Sequence, residues 1–472
     1  MRSSAEGVAI MVGSISLGGR GRLQRGRPQG WAQDGAEATP GPAAAADDLQ
    51  DAPAGHRPDI WPAATGAARM YRVSPFVRRF AWALLGGIGL ATAWVNLSPA
   101  TYYDAVEYRL VDFAKPSWIA GESFVVTPMT VASDLLMAFF LFFVGKELWE
   151  ALILERGALA GRRAMLPAGA ALGAIAGSVA LWWLHSALFA TSEWVPAGTG
   201  WPLPIGSDIV IGYVVGRAVF GAGHPALHLL LLLSIASNVI GITLLGLVYP
   251  YAGLQLLWLG LPLAAALAVW LLHGRHVGTG SSELSRRRGL ALWPYFLAGA
   301  LSWFGVVAAG LPGALGFLPI IPAIPHADRA FGLFAEAEEF LTDPLNRIAH
   351  LMVKPLSIAL FLFGLTRGGV DLAAFGPTTG SVLAAMWIGK PLGLVLGGLV
   401  AAQLFRVPMP AGIRIRDLVL VALISGIGFT APVLALDSAL PGGAMAEAAR
   451  LGLALSLLAA PVAIGLARFM RR

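Results

Sequence analysis

Asp208 and Lys390 are ionisable side chains set in otherwise apolar sequence. Asp208 closes the stretch Trp201-Pro202-Leu203-Pro204-Ile205-Gly206-Ser207-Asp208. A second apolar stretch is interrupted in the same way by Ser425-Gly426-Ile427-Gly428-Phe429-Thr430-Ala431-Pro432. Glycines and small hydroxyl residues in mid-membrane leave backbone N–H and C=O groups unpaired, and such breaks survive only where protein or a wet cavity surrounds them. One break in each half of a membrane protein points to a transporter's binding site. Where two broken helices cross, like half-helix ends meet. A carboxylate such as Asp208 would offset the positive ends, and an ammonium such as Lys390 the negative ends. Both are side chains that can exchange a proton.

The elements that must position these groups are membrane helices. Apolar residues make up 57% of the chain and charged residues 13%, against roughly a quarter charged in a soluble domain. Mean hydropathy is +0.70. The apolar runs are continuous and long, without β-barrel alternation, so the chain reads as an all-α polytopic membrane protein. With 0 cysteines, disulfides, thiolate metal sites and cysteine nucleophiles are excluded. The basic residues are scattered through short loops, which argues against nucleic acid. No nucleotide loop, metal-ligand cluster or nucleophile–base pair is visible, so the chain does not read as an enzyme, and no cofactor is implied.

Residues 1–69 are rich in Gly, Ala, Pro and Arg, lack apolar periodicity, and read as disordered. The apolar patch around Val8–Val12 is too short for a signal peptide, and Met70 reads as a natural start for the membrane domain, 70–472. Twelve spans are predicted, starting near Phe80, Met129, Ala164, Leu203, Pro225, Tyr251, Ala291, Pro312, Ile348, Ser381, Asp417 and Glu447. With both termini in the cytoplasm, nineteen Lys and Arg fall in cytoplasmic loops, whereas Arg109, Lys115, Arg367 and Arg450 fall outside. Moving the count by one helix would destroy this positive-inside bias.

Few charges remain within the spans: Asp134, Lys146, Glu147, Asp208, Lys354 and Lys390. Lys146 and Glu147 admit two readings, interfacial snorkelling or a place in an ion funnel. Lys354 reads as reaching the interface. Asp208 and Lys390 read as functional or as electrostatic supports of the breaks.

The motifs resemble those of the NhaA-type sodium/proton antiporters, from about Val73 to the C-terminus. Ser133-Asp134-Leu135-Leu136-Met137 and Phe143-Val144-Gly145-Lys146-Glu147 are similar to the second-helix signature. Gly200 through Asp208 is similar to the broken fourth helix. Ile388-Gly389-Lys390-Pro391-Leu392-Gly393 and Gly426-Ile427-Gly428-Phe429-Thr430 are similar to the tenth- and eleventh-helix motifs. The resemblance implies inverted repeats, two crossing broken helices, alternating access and a homodimer in the inner membrane. It places Asp208, Ser207, Ser237, Asn238, Lys390 and Thr430 at an ion- and proton-carrying site, with Asp208 as a sodium ligand. Gly206, Gly426 and Gly428 would form the broken backbone. Glu147, with Asp134 further along the same helix, would belong to a cytoplasmic funnel.

Two departures follow. The family's fifth helix carries two adjacent aspartates, and here Ser237 and Asn238 stand in their places. Neither titrates near neutral pH, although both can offer oxygen to a hard cation. The small-polar end of the ninth helix reads Thr366-Arg367-Gly368-Gly369. Exchange of sodium or another monovalent cation for protons is the leading expectation. The alternatives are the same fold moving another cargo, such as an organic anion held by Lys390, or a sensor that does not transport.

Overall fold

The computed structural model describes residues 73–116, 118–119, 123–153, 164–189, 199–250, 253–277, 289–326, 333–334, 341–410, 412–440 and 442–470. The expectations for residues 1–69 lie outside these. Among the described residues, nine helices are long and apolar enough to cross a membrane, and three shorter apolar helical segments accompany them. Every span begins within five residues of its expected start. The chain is a multi-pass, helical membrane protein.

Helix α1 spans Phe76–Leu97 and a short α2 spans Pro99–Val106. A hairpin follows that the all-α expectation did not include: β1 (Val111–Ala114) pairs antiparallel with β2 (Ser123–Val126), Val111 opposite Val126 and Ala114 opposite Ser123. Valines and phenylalanines suit a pleated pair. Helix α3 covers Pro128–Ile153, and its turn Val131–Leu136 is π-helical. Helix α4 covers Met165–Phe189. The fourth span is a 3₁₀ turn, Leu203–Ile205, then extended chain, then α5 (Ile209–Phe220). Helix α6 is Pro225–Val248, α7 Gly260–Leu272 and α8 Trp293–Ala308.

The expected eighth span is two 3₁₀ pieces, Gly313–Leu315 and Leu318–Ala323. Proline density there removes the donors that an α-helix needs. Helix α9 is Pro344–Arg367, and α10 is Pro377–Leu404 with a π-helical turn at Ala384–Gly389. The eleventh span breaks into α11 (Ile415–Ser425) and α12 (Thr430–Ala439). The twelfth is interrupted as well, into α13 (Gly443–Ser456) and α14 (Ala459–Phe469). Pro461 accounts for that interruption, because its ring opposes the carbonyl of Leu457, four residues earlier.

Two three-span units carry the breaks, 165–248 and 377–469, each with a broken helix in the middle. Their first helices, α4 and α10, pack antiparallel through matching glycine ladders. A Cβ on Gly173 would sit 2.1 Å from the Gly393 carbonyl oxygen, and one on Gly177 would sit 2.1 Å from that of Gly389. Backbone contact this close needs small residues at every fourth position on both helices. Since the ladder positions descend on one helix as they rise on the other, the units are inverted relative to each other. Lys390 directly follows one ladder residue, so a rigid pair of helices fixes its depth. Leu172, Trp183, Leu257 and Leu263 are exposed, as expected of faces that lipid covers.

Candidate functional site

The two breaks cross. The Asp208 N–H donates to the Ile427 carbonyl at 2.8 Å, and the Ser207 hydroxyl donates to the Ser425 carbonyl at 2.9 Å. These bonds replace the helical partners that each break gives up. Glycine is required where the strands touch: a Cβ on Gly206 would meet Ala431 Cβ and Pro432 Cδ at 2.9 Å, and one on Gly426 the Met386 carbonyl oxygen at 2.5 Å. Gly428 lies against the Met386 methyl, with its own N–H donating to Ser456 Oγ at 3.2 Å.

Asp208 is the N-cap of α5. Its Oδ1 accepts the Ile211 N–H at 2.8 Å, as an N-cap carboxylate does. Its Oδ2 accepts the Thr430 N–H at 3.3 Å. Helix α12 has no side-chain cap of its own, so one carboxylate serves two positive helix ends. The residue is 1% exposed.

Lys390 occupies the opposite kind of end. Its Nζ donates to the Pro204 carbonyl at 3.2 Å and to the Gly206 carbonyl, the oxygens at the end of the 3₁₀ turn. Cationic donors at a helix C-terminus lower the energy of its unpaired carbonyls. The ammonium is 1% exposed and has no carboxylate partner among the described residues.

Helix α6 delivers Ser237 and Asn238 to the crossing. Asn238 Oδ1 accepts the Ser207 N–H at 2.8 Å, which fixes the break backbone. Ser237 Oγ donates back to the Ser234 carbonyl at 3.1 Å, within its own helix. The Thr430 hydroxyl lies beside the Asp208 carboxylate without a well-formed hydrogen bond. Six expected side chains, Ser207, Asp208, Ser237, Asn238, Lys390 and Thr430, are thus buried around one crossing.

Glu147 and Asp134 do not share one place. Thirteen residues of α3 separate them, about 20 Å at the helical rise. Glu147 belongs to a buried triad in which Lys146 Nζ lies 2.9 Å from Glu147 Oε1 and 3.3 Å from Glu150 Oε2. Lys146 is 1% exposed, which overturns the snorkelling alternative. Glu147 Oε2 also accepts the Phe334 N–H at 2.6 Å and so holds Phe334 at φ 54, a conformation that bulky residues rarely adopt. Asn346, at the start of α9, donates to Glu150 Oε1 at 3.5 Å.

Asp134 sits in the π-helical turn at the other end of α3. Its Oδ1 accepts the Gly313 N–H at 3.1 Å, and its carbonyl accepts Trp303 Nε1 at 2.9 Å. Beside it, Arg367 Nε donates to Ser133 Oγ at 2.6 Å. The Lys115 ammonium, on the loop after β1, is pulled below the ordinary lysine range by burial, and the Asp134 carboxylate opposes that pull. Lys354 is exposed on α9.

Sequence reasoning missed Glu150, Ser456 and the glycine ladders. Lys146 and Glu150 stand at i and i+4 on one helix, a spacing that signals pairing. Gly169, Gly173 and Gly177 repeat the small-xxx-small pattern of Gly389, Gly393 and Gly397. Nothing local marks Ser456.

Taken together, the crossing can hold a small cation against one carboxylate with neutral oxygens nearby, or hold a proton there instead. Comparisons with known proteins identify the family. The family described as Na+/H+ antiporter 1 matches residues 78–467. The Na(+)/H(+) antiporter NhaA of Jannaschia sp. (strain CCS1) is 39% identical, covering 84% of this chain and 97% of the relative. Na(+)/H(+) antiporter NhaA 2 of Pelobacter propionicus is 32% identical with the same coverage. So is Na(+)/H(+) antiporter NhaA of Geobacter metallireducens, at 32%.

Proposed function

This chain belongs to the Na+/H+ antiporter 1 family, and from that premise we propose that it exchanges sodium, or another monovalent cation, for protons by alternating access. The observation that carries this reading is the Asp208 carboxylate, buried at the crossing and bonded to the N-termini of both α5 and α12. A carboxylate held this way takes either a cation or a proton. The two occupants compete, and competition is what couples their movements.

Alternating access would turn the crossing toward each side of the membrane in turn. The α4–α10 pair would move as a unit, since its backbones touch. The positive-inside count favours cytoplasmic termini in a bacterial inner membrane, and the family resemblance favours a homodimer. The organic-anion alternative needs Lys390 to present its charge to a cargo, and that ammonium is committed to two carbonyls.

Purified protein in proteoliposomes, with internal pH followed by a trapped dye, tests the reading. External sodium or lithium is expected to drive a pH change that Asp208→Asn abolishes. A cation-driven pH change of full size in Asp208→Asn would assign the exchange to another group. The absence of any response to sodium, lithium or potassium would leave a non-transporting protein.

A further inference from the structure

The number of titratable groups at the crossing limits how many protons a cycle can carry. We infer that exchange by this chain moves no net charge: one monovalent cation is traded for one proton, with Asp208 as the only proton carrier and Lys390 as a fixed positive charge. The inference rests on the antiport reading and adds its coupling ratio.

Among the described residues, the elements that bond at the crossing contribute neutral groups, with one exception. Helix α6 contributes Ser237 and Asn238, the eleventh span Ser425 and Thr430, and α13 Ser456. None of these gains or loses a proton in the working pH range. The carboxylates of α3 are engaged elsewhere, Glu147 and Glu150 with Lys146, and Asp134 with Gly313. Among the described residues that bond there, only α10 adds an ionisable group besides Asp208, Lys390.

A second proton would therefore have to leave Lys390 when the cation arrives, and the geometry opposes that. The Lys390 ammonium bonds to the Pro204 and Gly206 carbonyls, so an incoming cation does not compete with it for a carboxylate. Releasing its proton would leave an amine whose two N–H groups can still reach both carbonyls, but it would strip the charge from those bonds and from the negative end of the 3₁₀ turn, and a cation held at Asp208 does not restore it there. The net charge at the Asp208 site is also the same in both loaded states. A protonated Asp208 is neutral, and an ionised Asp208 with a monovalent cation is neutral as well. Nothing in the exchange of one occupant for the other drives the lysine to titrate. The proton balance then closes at Asp208 alone. Its O–H bond breaks as the cation binds and forms again on the other side of the membrane as the cation leaves.

The test is a null-point measurement on the full chain in proteoliposomes, with sodium and proton gradients in the same direction, which drive the exchange in opposite senses, and a potential set by potassium and valinomycin. A tenfold proton gradient is expected to balance about a tenfold sodium gradient, and the balance point is expected not to move with the potential, because no net charge crosses. A balance point that moves with potential, or one nearer a hundredfold sodium gradient, overturns the inference while leaving antiport standing. No sodium- or lithium-driven proton movement at any gradient overturns the antiport reading and this one with it. Lys390→Arg separates the two roles of the lysine, because a guanidinium does not release its proton in proteins. The variant is expected to exchange more slowly at an unchanged ratio of one, whereas a changed ratio would make the lysine a carrier.

Discussion

Asp208 and Thr430 lie 222 positions apart, and the carboxylate of one accepts the backbone N–H of the other at 3.3 Å. That single bond ties the fourth span to the eleventh at the point where both lose their helical backbone. It also makes one side chain answer for two helix ends, so a proton or a cation at Asp208 would be felt by both broken spans. A group that joins both halves of the inverted repeat is well placed to couple its occupant to their relative movement.

Capping and carrying can be separated at Asp208. Asparagine keeps one oxygen, which can accept from Ile211 but not also from Thr430 as the second carboxylate oxygen does, and it cannot titrate. Alanine keeps neither property and is expected to lower stability by about 1 kcal/mol relative to asparagine. Melting in detergent should rank the proteins as wild type, Asp208→Asn, Asp208→Ala, with exchange lost in both variants.

With one proton carrier, protons and sodium compete one for one. Below the pH at which Asp208 is half protonated, half-saturating sodium is expected to rise about tenfold for each unit of pH lost. The sign follows from the carboxyl group: lower pH fills the site with protons and weakens the cation. Initial rates against sodium at several pH values measure the slope, and a slope near two would require a second carrier.

Removing Lys390 charge and donors together should be costly. Lys390→Met leaves the Pro204 and Gly206 carbonyls buried without their donor, a loss of roughly 1–3 kcal/mol. A lower melting temperature in Lys390→Met than in Lys390→Arg is the expected outcome.

The Lys146 triad makes a separate claim. Lys146→Met would leave Glu147 and Glu150 buried together without their shared cation, and breaking a buried pair from one side costs about 3–5 kcal/mol. Glu150→Gln, which leaves Lys146 paired with Glu147, should be markedly milder in the same melting assay.

The glycine ladder can be tested against a neutral control. Gly173→Ala would force α4 from α10, since its Cβ would overlap the Gly393 carbonyl, at roughly 1–3 kcal/mol. Gly89 on α1 has nothing within 4 Å of its Cβ position, so Gly89→Ala should leave the melting temperature unchanged or slightly raised.

Much of this arrangement was legible in the chain because membranes restrict the choices. Continuous apolar runs must be helices, and glycine-rich breaks must be buried, so Gly206, Gly426 and Gly428 announced the crossing before any coordinates. The dipole argument likewise assigned Asp208 and Lys390 to opposite kinds of helix end. Contacts between distant segments were not legible. Ser456 braces Gly428 across 28 positions, a contact that no local pattern marks. Asp134 and Glu147 share a helix in the sequence, yet the helical rise carries them to different neighbours. Arg367 could be read as a departure from a family pattern, but its bond to Ser133 depends on how α9 packs against α3. The hairpin β1–β2 was hidden because four-residue strands carry little periodic signal.

The most direct measurement of the central claim is the number of protons released when sodium binds. Calorimetric titration of the purified protein in buffers of different ionisation enthalpy reads that number without any transport assay. Below the pH at which Asp208 is half protonated, close to one proton is expected to be released per sodium bound to the wild type, falling toward none as pH rises, with neither sodium binding nor release in Asp208→Asn. Sodium binding that releases no proton at any pH, or release that persists in Asp208→Asn, would contradict competition at Asp208.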